Sequence, residues 1–110
     1  MEKDISHSTT VAAMVESIIG CKWSLSVLGQ IRHGNQRPGE LERSIQGLSK
    51  KVLNERLRKL QHFGLIDKRS YAEIPPRVEY SITPLGQHFG HLLDDIEQLQ
   101  SKLDQGRLSD

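Results

Sequence analysis

The spacing of apolar residues switches from helical to alternating and back again along the chain, and few folds accommodate that order. Leu53, Leu57 and Leu60 recur at the spacing of one helix face. Val78, Tyr80 and Ile82 then alternate with Glu79, Ser81 and Thr83, as a half-buried strand requires. Beyond Pro84, the residues Leu85, Phe89, Leu92, Ile96, Leu99 and Leu103 return to alternating steps of four and three, which is a heptad seam. A chain of 110 residues has room for one core. Helix, hairpin and long terminal helix must therefore share it, and two independent domains are excluded.

Upstream of Leu53 the pattern is helical in short pieces punctuated by glycine. Ser8, Thr9 and Thr10 offer capping oxygens ahead of Val11, Met14, Val15, Ile18 and Ile19, a helix expected to end near Gly20. A second helix is expected from Lys22 or Trp23 to Gly34, burying Trp23, Val27, Leu28 and Ile31. Arg37 to Gly39 opens a third, with Pro38 in its first turn, Leu41 and Ile45 inward and Gly47 as its close. Ser49 is the best-argued cap. Its hydroxyl can accept from the amides of the next turn while Leu48 and Leu53 form a hydrophobic staple, which starts a fourth helix running to about Phe63 with Gly64 as its exit. Strands are expected over 65–71 and 78–83. Pro75 and Pro76 fall in the connection because proline cannot donate to a ladder, which leaves Arg77 near the tip. Thr83 and Pro84 then cap and open the last helix.

Charge is partitioned along the chain. The net value of +1 conceals a balance of −2 over residues 1–20, +6 over 21–80 and −3 over 81–110. A basic middle between acidic ends is the pattern of one surface that meets a polyanion. Its densest stretch holds Lys50, Lys51, Arg56, Arg58 and Lys59 against Glu55 alone, and the hairpin adds Lys68, Arg69 and Arg77. Three helices, a basic helix after a short turn, a hairpin and a terminal helix make the winged helix-turn-helix plan: mainly α, with a small β-hairpin and a C-terminal dimerisation helix. The domain is expected to span 1–110, with helices and wing over 8–83 and the dimerisation helix over 84–104.

In that plan the basic helix enters the major groove of double-stranded DNA. Opposite its leucine line lie Lys51, Asn54, Glu55, Arg58 and His62. Asn54 and Arg58 can make bidentate contacts to adenine and guanine edges, Glu55 can accept from cytosine, and Lys51 can serve base or phosphate. Ser49, Lys50, Arg56, Lys59 and Arg77 are better suited to phosphates, which fix register without reading sequence. The heptad seam outruns what four short helices can cover, so Phe89, Leu92, Leu93, Ile96, Leu99 and Leu103 are expected at the interface of a homodimer.

Several strings carry a family resemblance. Gly20-Cys21-Lys22-Trp23, Leu48-Ser49-Lys50-Lys51-Val52-Leu53, Arg56-Leu57 to Leu60, Gly64-Leu65-Ile66, Pro75-Pro76-Arg77-Val78-Glu79-Tyr80 and Thr83-Pro84-Leu85-Gly86 stand in order. Together they resemble the HxlR-type winged-helix regulators of bacteria over about residues 10–99. The resemblance implies a homodimeric transcription factor with Lys50, Lys51, Asn54 and Arg58 on the recognition helix and Arg77 on the wing. Three positions depart from it. Thr10 fills the place near the first helix where members often carry a cysteine, some of them for sensing oxidants, which puts that route in doubt here. Cys21 stands at the second glycine of a Gly-Gly-Lys-Trp string, and an aromatic before the third helix is replaced by Pro38 or Gly39. A thiol beside Lys22 could have a lowered pKa and a redox role, but a small residue packed at a helix junction is the plainer expectation.

Other chemistries find little support. There is no Gly-rich phosphate loop, nucleophile elbow or acidic dyad, so no enzyme and no cofactor is expected. His88 and His91 share a face but lack further ligands in reach except Asp94 and Asp95, and no metal site is expected. A single cysteine cannot form an intrachain disulfide, and no apolar run is long enough for a bilayer, which points to a cytoplasmic protein away from membranes. Two alternatives remain open. One is a winged helix that binds protein, which would show exposed apolar residues on its outer face. The other adds a small-molecule effector at the dimer interface, near Trp23 and Phe89.

Overall fold

The backbone follows the sequence pattern closely where local chemistry sets it. The computed structural model describes residues 10–106, in the order α1 (Val11–Ile19), α2 (Ser24–Arg32), α3 (Pro38–Ser44), α4 (Lys50–His62), β1 (Ile66–Tyr71), β2 (Arg77–Ile82) and α5 (Pro84–Asp104). Three side-chain caps define the starts. Thr10 Oγ1 accepts from the Ala13 amide at 3.0 Å, Ser49 Oγ from Val52 at 3.2 Å and Thr83 Oγ1 from Gly86 at 3.0 Å. Ser8 and Thr9 lie outside the described residues.

The strands sit within one residue of expectation, at Ile66–Tyr71 and Arg77–Ile82, and two helix boundaries differ for reasons that the structure shows. Helix α2 starts at Ser24 because Trp23, its N-cap, adopts a left-handed conformation with φ of 77°. The turn out of α1 demands that geometry, and the indole is held against Gly47, whose Cβ position lies 3.4 Å from the ring. Helix α3 stops at Ser44, since Ile45 turns extended and is drawn into the core. The turn from Ile45 to Ser49 then leads into α4, completing the helix-turn-helix.

The hairpin pairs Ile66 with Ile82, Lys68 with Tyr80 and Tyr71 with Arg77 in antiparallel register. Arg77 is thus the first residue of β2, one step below the tip. The core runs through every element. Ile18, Val27, Leu28, Leu41, Leu53, Leu57, Leu60, Leu65 and Ile66 are all but fully enclosed, and Tyr80 and Phe89 close its two ends.

Helix α5 is fastened to this body at two points. At its start, Thr83 donates its amide to Leu65 O and its hydroxyl to Gly64 O, and Gly86 packs so closely that a Cβ there would fall 2.1 Å from Leu65 O. About two turns further along, Arg32 at the end of α2 forms a two-pronged bond to Asp94, at 3.0 and 2.8 Å, passing over Gly90. The Arg32 guanidinium holds the Asp94 carboxyl below its usual range. A depressed carboxylate stabilises the fold above its unfolded pKa and loses that contribution as pH falls through the folded value. We therefore expect wild type to melt above an Asp94→Asn variant at neutral pH, and the two curves to converge as the medium is acidified below about pH 4. A gap that persists in acid would assign the variant's deficit to something other than this pair.

Among the described residues no single helix is long and apolar enough to cross a membrane.

Candidate nucleic-acid interface

Helix α4 presents two chemically different sides beyond its buried leucines. Lys50, Lys51, Asn54, Glu55 and Arg58 are exposed, and Ser49 sits at the helix start with its hydroxyl committed to capping. On the other side, Arg56 donates to Lys22 O at 2.8 Å and Lys59 to Ser17 O at 3.0 Å. Both cations are half-buried there and tie α4 to the turn between α1 and α2. Sequence placed all seven on one helix. The structure divides them into an outward group and a pair engaged with backbone carbonyls.

Arg77 is likewise occupied. Its guanidinium lies 3.8 Å from the Tyr71 ring centre and 3.2 Å from Glu73, with Glu79 at 3.9 Å, and Arg37 reaches Glu79 at 3.5 Å. This side of the hairpin is close to neutral. By contrast, Lys50, Lys51, Arg58 and Lys68 have no carboxylate partner among the described residues. The face they share also carries no large exposed apolar side chain, since those that exist elsewhere belong to α1, α2, the hairpin tip and α5.

Sequence reasoning missed Gln61 and Tyr80. With Asn54, Arg58 and Lys68 they line a cleft of about 280 Å³ between α4 and the hairpin. The pairing of Lys68 with Tyr80, together with strand alternation, is the signal that could have put both on the α4 side.

Cys21 lies in the α1–α2 turn, half-exposed. Burial pushes its thiol up, but the neighbouring Ser24 and Lys59 side chains and the positive charges of Lys59 and Arg56 outweigh it, so the thiol sits below its usual value. Among the described residues no group of three His, Cys, Asp or Glu could hold a metal ion.

The seam of α5 divides. Phe89 is buried in the chain's own core and Leu93 packs against it, whereas Leu92, Ile96, Leu99 and Leu103 are exposed, with Leu99 at 57%. From sequence these six residues share one role, and burial separates them into two that meet the chain's own core and four that do not. Ile96 and Leu93 border a groove of about 630 Å³ with Ile19 and Leu25, which Arg32 and Asp94 also line. Neither Trp23 nor Phe89 lines it.

Comparison with known proteins agrees with this architecture. The HxlR-like helix-turn-helix family matches residues 18–106. An uncharacterised HTH-type transcriptional regulator, sll1512 of Synechocystis, is 40% identical over 79% of this chain and 64% of its own length. The uncharacterised regulator YtcD of Bacillus subtilis is 35% identical over 86% of this chain and 73% of its own. A solved structure from Enterococcus faecalis V583, described as a transcriptional regulator of the MarR family, superposes with a TM-score of 0.79 at 31% identity, covering 97% of this chain and all of that one. The chain spans about two thirds of the length of these curated relatives. With the helix-turn-helix, the paired strands and the long terminal helix all in place, the chain belongs to the HxlR-like helix-turn-helix family of winged-helix transcriptional regulators.

Proposed function

We propose that the protein is a cytoplasmic homodimer that binds a pseudo-palindromic DNA operator in a sequence-specific way. The observation that carries this reading is the distribution of free charge. Arg56 and Lys59 on α4 and Arg77 on the hairpin are held by backbone carbonyls, Glu73 or Glu79, while Lys50, Lys51, Arg58 and Lys68 carry no such partner. Lys51, Asn54 and Glu55 project where a major groove would admit the helix, and Lys50 at its start suits a phosphate. The absence of large apolar side chains from this face argues against a protein-binding winged helix. Arg56, Lys59 and Arg77 contribute by holding α4 and the hairpin in place rather than as free charges.

Dimerisation is supported by Leu92, Ile96, Leu99 and Leu103, which form an exposed strip continuous with Ile19 and Leu25. A second copy's terminal helix would cover it. An effector reading remains attached to the same groove, because Arg32, His33 and Glu97 give its apolar wall a polar rim.

Selection of bound duplex from a random pool tests the reading. The expected product is a two-fold-related consensus whose half-site centres lie about 10 to 10.5 base pairs apart or a multiple of it. If Lys50, Lys51, Arg58 and Lys68 of each subunit each meet one phosphate, the log–log salt slope for the dimer is near −7, at about 0.9 per phosphate neutralised. Recovery of an unsymmetrical site, or binding indifferent to salt, would refute it.

A further inference from the structure

The cleft between α4 and the hairpin differs from the other polar recesses of this surface. The recess holding Arg37 and Arg77 contains Glu73, and the one holding Arg69 contains Glu79. The cleft of Asn54, Arg58, Gln61, Lys68 and Tyr80 contains two cations and no carboxylate. Strand alternation keeps Asp67 on the opposite face from Lys68. Neither Arg58 nor Lys68 has a hydrogen-bond partner among the described residues, and the same holds for the Tyr80 hydroxyl. Burial of the Tyr80 ring pushes its pKa up, with the Arg58 charge acting the other way, so the hydroxyl is protonated and can donate. Asn54 and Gln61 add amide donors. Every group that lines the cleft can therefore offer hydrogen to an anion.

The geometry points to a seat for one backbone phosphodiester of duplex DNA, gripped jointly by Arg58 from the recognition helix and Lys68 from the hairpin. A guanidinium matches the two free oxygens of a phosphodiester in a two-pronged contact, and the ammonium adds a point charge beside it. This inference rests on the DNA-binding reading and deepens it by moving Arg58 from base recognition to the backbone. Because the two cations come from different elements, a phosphate between them would also fix the angle between wing and recognition helix. Tyr80, anchored through its amide to Gln36 O at 2.7 Å, provides the floor.

The test uses the full chain and the duplex recovered from the random pool, with each phosphate replaced in turn by a neutral methylphosphonate. Wild type is expected to lose about tenfold in affinity at one such position in each half-site, the usual order for a charged contact. A double variant, Arg58→Ala with Lys68→Ala, should bind more weakly overall and be indifferent to neutralisation at that position. Arg58→Lys should retain most of the coupling, and selection with Arg58→Ala should return the wild-type consensus. Both side chains are exposed, and circular dichroism of each variant checks that the fold is kept. If Arg58→Ala relaxes preference at one base while every methylphosphonate costs it as much as wild type, Arg58 reads bases and the inference falls with DNA binding intact. If no duplex is recovered at all, the DNA-binding reading fails and takes this seat with it.

Discussion

Replacing Ile96 with Glu is expected to turn the proposed dimer into a monomer that no longer holds the proposed operator at concentrations saturating for wild type. Ile96 is 39% exposed in the single chain and lies between Leu92 and Leu99 on the uncovered strip. The isolated subunit tolerates a carboxylate there because water still reaches it. A dimer does not, since the change removes two apolar side chains from the interface and leaves two charges buried without partners. At about 1.5–3 kcal/mol for each isoleucine, dimerisation should weaken roughly a hundredfold or more before the charges are counted. Sedimentation at micromolar concentration reads this directly. Leu99→Glu, at a still more exposed position, should act in the same way and guards against an effect of Ile96 on folding. A variant pair that sediments as dimers, with DNA binding unchanged, would return the whole seam to the chain's own core.

Gly86→Ala should produce the largest loss of stability from the smallest added group. The new Cβ would meet Leu65 O at 2.1 Å and Ile82 Cγ1 at 2.6 Å. The isoleucine can rotate away, but the carbonyl cannot, because it accepts the Thr83 amide at 3.1 Å and begins the hairpin. Relief requires α5 to lift from β1. Overpacking of this kind costs about 1–3 kcal/mol or more, against a gain of about 1 kcal/mol for alanine over glycine within a helix. A net loss of about 2 kcal/mol would lower the melting temperature by roughly 10 °C, compared at fixed protein concentration because the proposed dimer would make it concentration-dependent. An unchanged melting temperature would mean that this helix start is free to shift, and with it the axis on which the subunits meet.

How much of this was legible in the sequence depends on the range of the interaction. The Ser49 cap and the Thr83-Pro84 start are decided within a turn of chain, and each is found where the residues predict it; Leu48 and Leu53 are both buried. The neutralisation of Arg77 was also written locally, in Glu73 four residues before it and Glu79 two after, on a strand where same-face neighbours meet. The roles of Arg56 and Lys59 were not. Their acceptors, Lys22 O and Ser17 O, lie 34 and 42 positions away, and nothing in a run of basic residues distinguishes a cation facing solvent from one facing a distant carbonyl. Phe89 illustrates the same limit, because heptad spacing is identical for a residue that meets its own core and one that meets a neighbour. Trp23 is the remaining surprise, since no propensity predicts a left-handed tryptophan.

The far end of α5 gives association a second meaning. From Asp95 to Gln105 every side chain is exposed, including Leu99 and Leu103. This stretch continues a helix already fastened at its start, so it needs only propagation, but with few contacts to the chain's own body each added residue gains little and the end frays readily. Further contacts would come from the other subunit. Chain order and subunit pairing are then one equilibrium with a shared midpoint, and dilution would unwind the same turns that it separates. If the proposed dimer is the form that holds the proposed operator, occupancy would rise steeply with the number of copies in the cell, with a threshold set in part by the helicity of Asp95 to Gln105.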